Sequence, residues 1–288
     1  MRRKMLGSLI LIFVFITDIT PTFSQQQNKN DVVVESVNTG SINYSTGWIY
    51  AEGYAKIDTD QNKALAIRIA TLDARRNLLE MIKRVPIDSN TQVNDLIRAN
   101  DTIRTSIMGF IEGAERVGEP RYLRTEGEID RNVIVVTVRM PLRLNNEILS
   151  EISPPSRLLP PLQEQSLPPQ IQKSSIYSGV IIDARTFPVR PAMAPKILDE
   201  DGREVYGSAN ISRDYAVSQG MVGYTKSIDE AKSNPRVAGN PIIVKGINTS
   251  RNADIVISNE DARRIRLAAS YQKFLDECRL MIVLQEVS

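Results

Sequence analysis

The apolar positions of this chain fall into blocks of different period, and each period predicts a different element. The first block is an unbroken run of 11 residues, Leu6 to Ile16 (LGSLILIFVFI), preceded by Arg2, Arg3 and Lys4. Pro21 and the small residues Thr22 and Ser24 follow it, which predicts a secretory signal peptide over residues 1–24, cleaved before Gln25. Spanning a bilayer takes roughly 20 apolar residues, so an uncleaved anchor is the weaker reading. Residues 25–45 are rich in Gln, Asn and Ser, and a flexible segment is expected there.

From Trp48 to Ile57 (WIYAEGYAKI) aromatic and β-branched residues predict a strand, with Gly53 inside it marking a bulge or a close contact. The period then becomes helical over Asn62 to Lys83, where Ala66, Ala70 and Ala74 recur one turn apart, flanked by Leu65, Ile69, Leu72 and Leu79. Pro86 closes that helix. A second helix is expected over Val93 to Phe110, ending at Gly109 or Gly113. Ala114 to Thr125 and Asn132 to Leu144 then read as a hairpin around Glu126-Gly127-Glu128.

Between Glu151 and Ser175 the prolines 154, 155, 160, 161, 168 and 169 predict an extended, semi-rigid spacer. Beyond it, Tyr177 to Arg185 (YSGVIIDAR) reads as a strand and Arg190 to Pro195 as a proline-broken stretch. Lys196 to Tyr206 reads as a hairpin with DEDG at its turn. Strands at Pro241 to Ile247 and Asp254 to Ile257 follow, then a helix capped by Ser258 with Glu260 and Asp261 in its first turn, and a last strand at Cys278 to Leu284. The helix carries one apolar stripe, Ala262, Ile265, Ala268, Ala269 and Leu275. The expected fold class is α+β: two small mixed α/β domains, residues 46–150 and 176–288, joined by a Pro-rich linker over 151–175, after a signal peptide.

Composition narrows the chemistry. The chain has 36 Lys+Arg and 34 Asp+Glu; residues 1–24 hold three of the bases and one acid, so the remainder balances at 33 of each. The nominal pI of 8.6 belongs largely to the export segment, and no concentrated cationic surface points to nucleic acid. With no histidine there is no Ser-His-Asp triad and no histidine-ligated metal. Cys278 is the only cysteine, which excludes an internal disulfide. A buried strand thiol is its simple reading, an intermolecular bridge or reactive thiol the other.

Several polar groups merit weighing. Asp73 lies in the apolar arc of the first helix, and an ion pair with Arg76 or another arginine outweighs a buried acid or base. Asp199, Glu200 and Asp201 suit a hairpin turn better than a calcium loop or a catalytic pair with Asp183, because their spacing lacks alternating oxygen ligands. Gly118, Gly220, Gly223 and Gly239 form no phosphate-binding pattern. Arg263, Arg264 and Arg266 read as a solvated helix face. No catalytic, cofactor-binding or metal residue is expected, and no cofactor.

Four segments, ALAIRIATLDARRNLLEMIKRVPID, Thr91 to Val93, IMGFIEGAERV and VTVRMPL, together resemble the bacterial twenty-kilodalton outer-membrane lipoproteins and the N-terminal domain of flagellar assembly protein T, over Gly47 to Leu144. YSGVIIDAR and PAMAPKILDEDGREVYG resemble a segment that accompanies this domain in envelope proteins. The resemblance implies a periplasmic or outer-membrane-associated, non-catalytic protein whose partners are envelope proteins. The chain has no lipid-acceptor cysteine near the cleavage region, so membrane association is expected to be indirect, and an oligomer is compatible with this reading. One alternative is a module binding peptidoglycan glycan or a small ligand, with Tyr177, Tyr206, Tyr215 and Tyr224 for stacking. A second is a hydrolase using Asp183 with Asp199 or Asp201.

Overall fold

The computed structural model describes residues 31–57, 63–125, 127–143, 145–152 and 176–285. The expected signal peptide, and all of the proline spacer but Glu151 and Ile152, lie outside them. Those two residues end a helix instead of opening the spacer. Among the described residues no helix is long and apolar enough to cross a membrane.

The first half forms an antiparallel sheet with helices packed against it. Its strands are β1 (Val34–Val37), β2 (Gly40–Asn43), β3 (Trp48–Lys56), β4 (Glu115–Arg116), β5 (Arg121–Thr125) and β6 (Glu128–Pro141). β1, β2, β3 and β6 pair in that order, and β4 and β5 share the far edge of β6. The flexible segment expected over 25–45 is thus corrected for its second half. Residues 34–43 form a hairpin in register Val34↔Asn43 to Val37↔Gly40, and Val33, Ile42 and Tyr44 are buried. A few alternating apolar side chains outweigh the polar composition once a sheet edge satisfies the backbone.

Helix α1 (Lys63–Lys83) lies along β3 and β6 and buries Ala66, Ala70, Ala74, Leu78, Met81 and Ile82. The alanine ridge permits an approach so close that a Cβ on Gly53 would stand 2.1 Å from the Ala70 carbonyl oxygen. Gly53 is therefore a contact point and no bulge: β3 pairs with β6 without a register shift from Trp48 to Lys56. The single helix expected over 93–110 is two, α2 (Val93–Ala99) and α3 (Asp101–Glu112). Asn100, with extended backbone, ends the first and caps the second by accepting from the Thr102 and Ile103 amides. Helix α4 (Asn146–Ile152) closes this half.

The second half is built on a seven-stranded sheet. Its strands are β7 (Val180–Ala184), β8 (Ile197–Leu198), β9 (Glu204–Tyr206), β10 (Gly223–Thr225), β11 (Ile242–Ser250), β12 (Asp254–Ile257) and β13 (Leu280–Leu284). Their spatial order is β10-β13-β7-β11-β12-β8-β9, with β10, β13, β7 and β11 parallel. Helices α5 (Arg213–Gln219), α6 (Ile228–Ser233) and α7 (Asn259–Tyr271) accompany it. Strand alternation sends Ile181, Met281 and Val283 towards α6, while Val180, Ile182, Leu280 and Ile282 join the main core. That core is continuous with the one under α1, so the two α+β units share one apolar interior.

A main-chain seam joins them. The amides of Met193 and Ala194 donate to the carbonyls of Pro86 (2.9 Å) and Ile87 (2.7 Å). The Ser89 hydroxyl donates to the Ser250 carbonyl (3.0 Å) and accepts from the Asp254 amide (2.9 Å). Elsewhere along the contact, the Lys226 amide donates to the Asp31 carbonyl (3.0 Å), and Tyr44 meets Tyr224 edge to face at 6.1 Å.

Gly53→Ala should lower stability by about 3 kcal/mol, because the added methyl meets the α1 main chain at Ala70 and Ala74, which can yield only by moving the helix off the sheet. Urea denaturation checks this, and an unchanged midpoint would mean that α1 does not press on β3 as described.

Candidate functional site

The carboxylates that drew notice in the sequence are tied to arginines. Asp73 accepts from the Tyr54 amide (3.0 Å) and pairs with Arg76 (3.7 Å), so it fastens α1 to β3. Asp183, at the end of β7, is gripped in two-pronged fashion by Arg185 at 2.8 Å on each oxygen, which holds its carboxyl below the usual range. Asp199 is buried at the β8–β9 turn and accepts from the amides of Asp201 and Arg203 and from the Arg266 guanidinium (2.9 Å). Burial pushes the Asp199 pKa up, but these donors outweigh it and the carboxyl lies below its ordinary value. Glu200 accepts from the Asn259 amide at the start of α7, and Asp201 pairs with Arg203 at 3.1 Å.

Asp183 and Asp199 are not brought together. Strands β11 and β12 lie between β7 and β8, which sets the two strand backbones about 14 Å apart across the sheet. The acidic cluster is a turn that anchors α7, and Arg266 belongs to that anchor, a correction to its reading as solvated. No cluster of three or more His, Cys, Asp or Glu able to hold a metal occurs among the described residues.

The tyrosines do not make a stacking platform either. Tyr206 and Tyr224 are buried, at 1% and 4% exposure. The Tyr206 hydroxyl donates to the Met221 carbonyl, and that of Tyr224 both accepts from the Ala192 amide and donates to its carbonyl. Cys278 sits just before β13 and not in it, in a left-handed conformation (φ 55), fully buried beside the Tyr206 phenol. Burial pushes its thiol pKa up, and the same burial keeps it out of reach of a second chain.

Along the contact between the two halves lie two pockets, or arms, of about 230 Å³ each, and Arg143 and Met193 line both. The first arm is polar, walled by the Tyr44–Gly47 turn, Asn234 and Arg236. Arg236 donates to the carbonyls of Gly220 (3.0 Å), Cys278 (2.7 Å) and Gln219, which fixes its guanidinium at the cleft wall. The second arm is apolar, with Ile82, Ile107, Phe110, Ile148 and Val217 in its wall. Sequence reasoning did not find this site. Its residues lie far apart in the chain and follow no spacing rule.

Residues 179–286 match the family model described as Treponema pallidum Tp0624, second domain. The match covers rather more than a third of the chain and runs from just before β7 to just past β13, so it coincides with the seven-stranded unit. No curated protein matches the chain. The match bears on the second half of the chain.

Two outcomes follow from the anchors. Asp199→Asn should cost about 2 kcal/mol at pH 7. Because the folded carboxyl lies below 3.8, its contribution is present above that pH and is lost as pH falls through the folded value. The gap between wild type and variant should therefore narrow on acidification, and pH-dependent urea titrations check it. Tyr224→Phe leaves the buried Ala192 amide and carbonyl without partners and should cost about 1–3 kcal/mol, read as a lowered Tm.

Proposed function

We propose that this chain is an exported, non-catalytic scaffold of the bacterial cell envelope that acts through protein–protein contacts. The observation that carries this reading is on α1. While its alanine side presses on the sheet, Leu65, Ile69 and Leu72 stand outward at 52%, 47% and 64% exposure, spaced at i, i+4 and i+7. Three large aliphatic side chains in one row on a helix face suit a protein partner. The shared core and the main-chain seam support the reading further, since a fused body holds such a row in a fixed place.

The resemblance of residues 47–144 to outer-membrane lipoproteins and to flagellar assembly protein T supports a place at an outer-membrane or basal-body structure. Hydrolysis by paired carboxylates finds no support, with Asp183 and Asp199 each held by its own arginine. Glycan stacking on the second-half tyrosines loses its surface, because two of the four are interior.

A photo-crosslinking residue placed at Leu72 in cells should trap one discrete envelope protein, and Ile69→Glu should abolish the product without changing the urea midpoint. Crosslinks no more frequent at Leu72 than at exposed Glu260, or a protein found only in the cytoplasmic fraction, would sink the reading.

A further inference from the structure

We propose that the cleft between the two halves binds a small amphiphilic anion, an alkyl chain ending in one carboxylate or phosphate. Each arm alone is smaller than the roughly 300–1,000 Å³ of an ordinary ligand site, and the two together reach that range. An occupant therefore uses both, and both ends of it are specified by the walls.

The polar arm specifies charge. Arg143 and Arg236 line it, and no Asp or Glu does among the described residues. Arg143 is exposed and makes no ion pair or hydrogen bond among the described residues. Arg236 spends its terminal nitrogens on three carbonyls, but its Nε has no partner among the described residues. The Tyr44 hydroxyl in that wall donates to the Glu35 carboxylate (3.2 Å), which itself does not line the arm. Two guanidiniums with no salt-bridge partner among the described residues, in a partly enclosed cleft, call for an anion.

The apolar arm specifies the tail. Apart from Arg143 its only polar lining residue is Asn145, and that amide is spent: it donates to Ser106 (2.7 Å) and accepts from the Ile148 amide (2.8 Å). A peptide entering there would bring main-chain amides with nothing to bond, at a cost an alkyl chain avoids. Phe110, 44% exposed, stands at this arm as an apolar contact for the chain.

Isothermal titration of the purified chain with decanoate, decyl phosphate and decanol tests the site independently of the surface on α1. Decanoate or decyl phosphate should bind saturably at one site, and the tighter of the two identifies the head group. Decanol should bind at least about tenfold more weakly, since a charge-assisted contact is lost. Arg143→Gln should weaken the anion about tenfold and leave decanol unchanged, while Phe110→Ala should weaken both. Both residues are exposed, so the urea midpoint of each variant should stay at the wild-type value. The proposal is overturned if neither anion saturates, if decanol binds as well as the anions, if Arg143→Gln leaves anion binding intact, or if N-acetyl-Ala-Phe with a free carboxylate binds more tightly than decanoate.

Discussion

The structure depends on one short loop whose main chain is buried between two sheets. Residues 84–90 leave α1, carry the fully buried Val85 and Ile87, and are met by Met193 and Ala194 on one side and by Ser250 and Asp254 on the other. Buried carbonyls require donors; Val93 supplies one to Val85 from the same half, but those for Pro86 and Ile87 come from the other half of the chain. Neither half satisfies this loop alone. The shared apolar core follows from that constraint, because the loop brings the inner face of the second sheet against the layer under α1.

This arrangement accounts for what was legible in the sequence. Strand β3 and helix α1 were readable because a tripled alanine spacing and one glycine encode a local fit, with Gly53 set against Ala70 and Ala74. The β8–β9 turn was readable because an Asp-Gly step specifies its own backbone. In contrast, β10, α5 and α6 gave no signal: they are three to seven residues long and are stabilised by neighbours, as when Ala231 packs on Ile181 and Met281. The hairpin at 34–43 was hidden for a related reason. Its polar composition reports solvent on one face, while its pairing comes from β3.

The polar residues divide in the same way. The acidic turn was recognisable as a turn, yet its connection to α7 through Arg266 and Asn259 crosses about sixty residues of chain and leaves no local mark. Pro86 was recognisable as a helix stop. Its second role is one that proline fills well: it offers no amide to leave unsatisfied, and its carbonyl is free to accept from Met193. A residue read as punctuation is thus part of the joint between the domains.

The cleft is a consequence of the joint and not an independent feature. Met193 donates its amide to the seam while its side chain lines both arms. Tyr224 holds Ala192 by both main-chain groups, and Ala192 lines the polar arm beside Tyr44. Arg236 is fixed by three carbonyls that belong to the turn after α5 and to the approach to β13. The walls are therefore positioned by bonds that folding already requires, so little ordering remains to be done when an occupant enters. Arg143 is the exception, since no bond from the described residues holds its guanidinium. In the proposed site, fixed groups set the shape and Arg143 meets the ligand, which separates stability from recognition. That is why a change at Arg143 should alter binding and leave the fold intact.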